Sequence, residues 1–157
     1  MKTIPNFLRN ADEILKHLER HQHLFKPREG TDTHASIIPN LCSRFKTLKD
    51  CDMDAGLINE IFANNDFDPD LKDLYNFIQI QKYEPSDFIA PHKDVYSITK
   101  LHLVILTTSD SDGLICEDGD GGLTKVYDKA GTYIDVGNSY HWVDPVKDLR
   151  YSLVITE

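Results

Sequence analysis

The sequence predicts a mainly β protein, a sandwich or barrel with N-terminal helices packed on its outside. Three observations lead there. Apolar residues recur at helical spacing in the first half of the chain and at a period of two in the second half. The second half is a succession of short segments rich in Ile, Val, Tyr and Thr, punctuated by Gly, Asn and Asp at near-regular spacing. No internal repeat and no linker divides the 157 residues, which is the size of one domain. The expected organisation is therefore a single domain over residues 1–157, with a helical half over 1–75 supporting a β core over 76–157.

Along the chain, Asn10 with Glu13 three residues on reads as a capping box. Ile14, Leu18, His21 and Phe25 then share one face of the helix it opens, until Pro27 and Gly30 stop it. His17, His21 and His23 crowd this helix. His17 and His21 are spaced to share a metal, but no carboxylate or thiolate obviously completes a site. Residues 31–50 are irregular by pattern. Residues 54–63 (DAGLINEIFA) and 68–77 (DPDLKDLYNF) read as two short helices. In the second, Asp68 caps and Pro69 takes the first helical position, where its missing N–H does no harm. Residues 77–83, 100–108, 124–128, 132–136 and 151–156 read as strands. The acidic stretch at 110–122 (DSDGLICEDGDGG) lacks the carboxylate spacing of a calcium loop and reads as hairpin turns.

Composition narrows the function. Hydrophobic residues are 40% and charged residues 27%, ordinary for a globular protein. A domain of this length buries roughly 70% of its unfolded surface and needs no staples. Cys42, Cys51 and Cys116 are odd in number and form no C-x-x-C pair, so reduced thiols are expected rather than a disulfide framework or zinc knuckle. No apolar run approaches a membrane span, and the N-terminus lacks a signal peptide's apolar centre. A cytoplasmic protein without a membrane partner is expected. The net charge of −9 argues against non-specific nucleic-acid binding, which needs a surplus of Lys and Arg.

The chemistry is concentrated in a few positions. In APHKDVYSI, His92 and Asp94 are one residue apart, so in an extended segment they share a face. Two imidazoles and a carboxylate form the facial triad that holds non-haem Fe(II) with positions left open. Two later histidines compete for the third place, His102 within KLHLVILTT and His141 within GNSYHWVDPV. His141 is the better candidate, because Arg150 follows nine residues on, with Ser152 at i+2 on the same strand face. A guanidinium beside a hydroxyl on an inward face makes a carboxylate clamp. His102 reads as a satisfied core histidine. Trp142 faces either the pocket mouth or away from it.

The ordered set Tyr83, HKD, LHLVILT, DGDGG, AGTYIDVGNSYHWVDPV and RYSLVI resembles the Fe(II)- and 2-oxoglutarate-dependent dioxygenases, nearest to their prolyl-4-hydroxylase-like branch. The resemblance covers roughly residues 76–157. It implies a double-stranded β-helix (jelly-roll, cupin-like) core, with His92, Asp94 and His141 holding iron. It implies Arg150 and Ser152 on the distal carboxylate of 2-oxoglutarate, with Tyr83 against the cosubstrate. The implied activity is hydroxylation of a protein or peptide side chain, or of a small molecule, using dioxygen and releasing succinate and carbon dioxide. Ile105 and Leu106 stand where relatives often place a Tyr, and Thr107 or Thr108 where they place an Asn. Two other readings use part of the same pattern. A cupin-like module that binds a metal or carboxylate without turnover needs the triad but not Arg150. A nucleic-acid oxidative demethylase would want a basic groove.

Overall fold

The computed structural model describes residues 2–28, 43–63, 65–93 and 100–157. In chain order, the described elements are β1 (Lys2–Ile4), α1 (Ala11–Glu19), β2 (Lys26–Pro27), β3 (Ser43–Arg44), β4 (Lys46–Lys49), α2 (Ala55–Phe62), α3 (Leu71–Leu74), β5 (Phe77–Tyr83), β6 (Phe88–His92), β7 (Leu101–Ile105), β8 (Gly113–Glu117), β9 (Leu123–Tyr127), β10 (Tyr133–Asp135), β11 (His141–Val143) and β12 (Arg150–Thr156). They build two antiparallel sheets. One has the order β1-β10-β7-β12-β5-β4-β2, the other β3-β6-β11-β8-β9. The expected mainly β jelly-roll core is present.

Strand β12 (RYSLVIT) lies between β5 and β7 and is buried along its whole length. Tyr151, Leu153 and Ile155 join a core with Ile14 and Leu18 of α1 and Leu57 and Ile61 of α2. Val154 belongs to a second core between the sheets, with Leu103, Ile105, Ile89, Leu114 and Val143. The larger sheet is thus covered on both faces, by helices outside and by the smaller sheet inside. The segment from β3 to β4 crosses from one sheet to the other at Phe45 and closes one side of the core.

Several elements differ from the sequence reading. Helix α1 stops at Glu19, and a 3₁₀ turn at Gln22–Leu24 follows. Asn10 caps α1 by position, but no side-chain cap bond forms. Its amide instead donates to Glu60 O at 2.6 Å and Glu60 Oε1 at 3.0 Å, tying α1 to α2. The helix expected over 68–77 contracts to α3, with Asp68 accepting the Asp70 N–H at 3.0 Å to form a turn ahead of it. The first half also contributes strands, β1 through β4, which extend both sheets. Residues 113–117, expected as turns, form β8. Gly113 is needed there because a Cβ would lie 2.1 Å from Val126 O on the paired strand β9. Cys51 and Cys116 form no disulfide, and Cys42 lies outside the described residues. No helix among the described residues is long and apolar enough to cross a membrane.

Candidate active site

His92 ends β6 and His141 opens β11, and the two are direct cross-strand partners. Their ring centroids are 4.4 Å apart. Each ring is oriented by the carbonyl two residues before it. His92 Nδ1 donates to Ala90 O at 2.8 Å, and His141 Nδ1 donates to Ser139 O at 2.9 Å. A carbonyl oxygen only accepts, so in the neutral rings the proton is on Nδ1 and the lone pair on Nε2. That is the tautomer in which a histidine ligates metal through Nε2. Asp94 lies outside the described residues, among which no group of three His, Cys, Asp or Glu is gathered for a metal.

The two histidines line a pocket of about 680 Å³, counting its open mouth. Strands β5 and β12 of the larger sheet supply the opposite wall. Their period of two sends Gln79, Gln81 and Tyr83, and Arg150, Ser152 and Val154, into it. Arg150 pairs with Tyr83 in register, and Ser152 with Gln81. Gln81 Oε1 accepts from Ser152 Oγ at 3.2 Å and from the Tyr83 hydroxyl at 3.4 Å. Burial pushes the Tyr83 hydroxyl up to about 12, so it stays a protonated donor at neutral pH.

Arg150 is 2% exposed. Its Nε donates to Asp128 Oδ2 at 2.9 Å, and its guanidinium lies 5.2 Å over the Tyr83 ring. Asp128 follows β9 and is itself buried, with Oδ1 lacking any hydrogen-bond partner. Burial pushes its carboxyl up, and the Arg150 guanidinium offsets that only in part. The pair fixes the plane of the guanidinium. One of its five N–H donors is used at Nε.

The remaining histidines resolve differently. His102 points to the helical side of β7, since Leu101 and Leu103 line the pocket. Its Nε2 donates to Glu157 Oε2 at 2.9 Å, and Nδ1 accepts from the Tyr133 hydroxyl at 3.2 Å. It is the satisfied core histidine expected. His21 Nδ1 donates to His17 O at 2.8 Å and Nε2 accepts the Asp54 N–H at 3.2 Å, so it joins α1 to α2. Trp142 alternates with His141 and Val143, both in the pocket, and therefore faces away.

Arg28, which follows β2, also lines the pocket; sequence reasoning missed it, as it missed Gln81 and Asp128. Gln81 carried a signal, a polar side chain alternating with Ile on the face of Tyr83. Asp128 and Arg28 carried none, because each reaches the site from outside the strand that sequence spacing can read.

In solved structures this architecture recurs among oxygenases. The chain is similar to a prolyl-4-hydroxylase from Pseudomonas putida, with a TM-score of 0.71 and 16% identity over 99% of this chain and 90% of that one. It is similar to HygX from Streptomyces hygroscopicus, described with nickel, 2-oxoglutarate and hygromycin B bound, at 0.67 and 11% identity over 98% and 80%. It is also similar to the viral collagen prolyl hydroxylase of Paramecium bursaria Chlorella virus-1, described as a 2-oxoglutarate complex, at 0.57 and 16% identity over 99% and 93%. At these identities the likeness is one of fold. No protein-family model and no curated protein matches the sequence.

Proposed function

We propose that the protein is an Fe(II)- and 2-oxoglutarate-dependent oxygenase that hydroxylates a protein or peptide side chain or a small molecule. The observation that carries this reading is the facing of two groups across one pocket. On one wall is a pair of histidines with Nδ1–H tied to carbonyls, and on the other a buried arginine.

His92, Asp94 and His141 would hold the metal. The described part of the donor set fits it, being two imidazoles on adjacent strands, each with Nδ1 tied to a carbonyl. Bound iron, with 2-oxoglutarate and dioxygen, supplies oxidation of the substrate with release of succinate and carbon dioxide. The protein's own task is orientation. Arg150 presents its fork to the distal carboxylate of 2-oxoglutarate, with Asp128 holding Nε so that the fork does not rotate. Ser152 and Tyr83 add hydroxyls on the same wall, whose O–H groups would turn from Gln81 Oε1 to the cosubstrate on binding. Leu101, Leu103 and Val136 keep the rest of the wall apolar, which excludes water and strengthens each charged contact.

Anaerobic titration with Fe(II) and then 2-oxoglutarate tests this. The visible charge-transfer band of the metal chelate should form in the wild type, and weaken or vanish in His141→Ala and Arg150→Ala. Metal binding without a band would identify a binding module without turnover. Absence of metal binding would overturn the proposal.

A further inference from the structure

We propose that the pocket holds a second anion subsite, built on Arg28, that receives a carboxylate of the primary substrate; the inference rests on the oxygenase reading above. Arg28 follows β2 and is held in place twice. Its backbone N–H donates to Phe45 O at 3.2 Å, and its guanidinium lies 5.4 Å over the Phe45 ring. Phe45 in turn stacks on Tyr83, with centroids 4.9 Å apart and planes 17° apart. Tyr83 carries Arg150. The two guanidinium groups are therefore mounted on different rings of one stacked pair, as two separate posts on the pocket wall.

They differ in what answers their charge. Arg150 has Asp128. Arg28 Nη2 is buried and has no hydrogen-bond partner. A buried guanidinium N–H without an acceptor is costly, so the arrangement suits a ligand that brings one. The described residues that line the pocket include no Asp or Glu, although the whole chain carries a net charge of −9. One carboxylate of 2-oxoglutarate is assigned to Arg150 and its other end to the metal. The anion for Arg28 must then come from a different molecule, the one to be oxidised. A planar guanidinium fork matches a carboxylate. A free organic acid and an Asp or Glu side chain of a peptide supply the same group.

Calorimetry on the full chain, loaded with Mn(II) and saturating 2-oxoglutarate, distinguishes these sources. Propionate is compared with propionamide, and acetyl-Ala-Glu-Ala-amide with its Gln counterpart. In one pair the acid should bind about tenfold tighter than the amide, and that pair identifies the source. Arg28→Gln should abolish the preference, and Arg28→Lys should retain part of it. Both should leave the affinity for 2-oxoglutarate unchanged, which also shows that the fold is intact. The inference is overturned if neither pair shows a preference, or if the preference survives Arg28→Gln. It is equally overturned if Arg28→Gln weakens 2-oxoglutarate as much as Arg150→Gln does, because Arg28 would then belong to the cosubstrate. Failure of the wild type to bind 2-oxoglutarate would sink the oxygenase reading instead. The same probe pairs, titrated into metal-free Arg150→Gln with and without Arg28→Gln, would then still decide the fate of Arg28.

Discussion

The two faces of the seven-stranded sheet are both buried, yet they are built differently. Toward the helices stand Ile78, Ile80, Val104, Leu153 and Ile155. Toward the smaller sheet, the alternate positions of the same strands carry Gln79, Gln81, Tyr83, Arg150 and Ser152. Each buried polar group costs free energy unless it is paired, so a face that keeps five of them is not optimised for stability alone. The histidines repeat the contrast. His102, on the helical side, commits both nitrogens to Glu157 and Tyr133. His92 and His141, on the inner side, each commit Nδ1 to the carbonyl two residues back and bring their rings together in the pocket, with centroids 4.4 Å apart.

The contrast between the two faces is sharpest at Asp128. Asp128→Ala leaves Arg150 buried without its counter-ion and should destabilise the fold by roughly 3–5 kcal/mol. If the inner face is a carboxylate site, 2-oxoglutarate should raise the variant's melting temperature more than it raises the wild type's, by replacing the lost anion. A next test sets neighbours on β12 against each other. Leu153→Ala should cost about 2–5 kcal/mol in urea unfolding, because it empties the helical core. Ser152→Ala should cost no more than about 1.5 kcal/mol, since Gln81 Oε1 keeps the Tyr83 hydroxyl, but it should weaken 2-oxoglutarate binding.

The histidine contrast comes third. His141→Ala should lower Mn(II) or Fe(II) affinity by more than about a hundredfold in anaerobic calorimetry. His102→Gln should leave metal affinity intact while costing about 1–3 kcal/mol of stability. Equal metal loss in both variants would dissolve the distinction between the faces. The smallest effect belongs to the helical layer. Asp54 caps α2 by accepting the Leu57 N–H at 2.8 Å, and that bond, foremost, holds its carboxyl below the ordinary 3.8. A depressed folded-state value means the cap's contribution is complete above 3.8 and is lost as pH falls through the lower folded value. Melting temperatures followed into acid should therefore drop more for the wild type than for Asp54→Asn, which keeps a capping oxygen without the titration.

The sequence made the wall of the site legible where residues act at i and i+2 on one long strand. Arg150 and Ser152 needed only alternation to be placed, whereas Tyr83, near the end of β5, entered only through the family resemblance. The strands that carry the histidines were harder to see as strands. β6 contains Pro91, which reads against a ladder position, and β11 has only three residues. The pairing of β6 with β11 shifts register between His141 and Val143, an irregularity of the kind that admits a proline. The capping box at Asn10 failed for a tertiary reason, because Glu60 from another helix competes for the same side chain. Asp128 and Arg28 reach the pocket through the sheet's edge and its crossover, and periodicity does not encode either.

The placement of β12 also bears on how the sheet is held together. It is the last of the described strands, yet it lies at the middle of its sheet. Without it, β5 with β4 and β2 has no bond to β7 with β10 and β1. The two halves of the sheet meet only through this segment, and their facing edges find their hydrogen-bond partners in it. The strand that delivers Arg150 to the pocket is thus also the keystone that joins the two halves of the sheet.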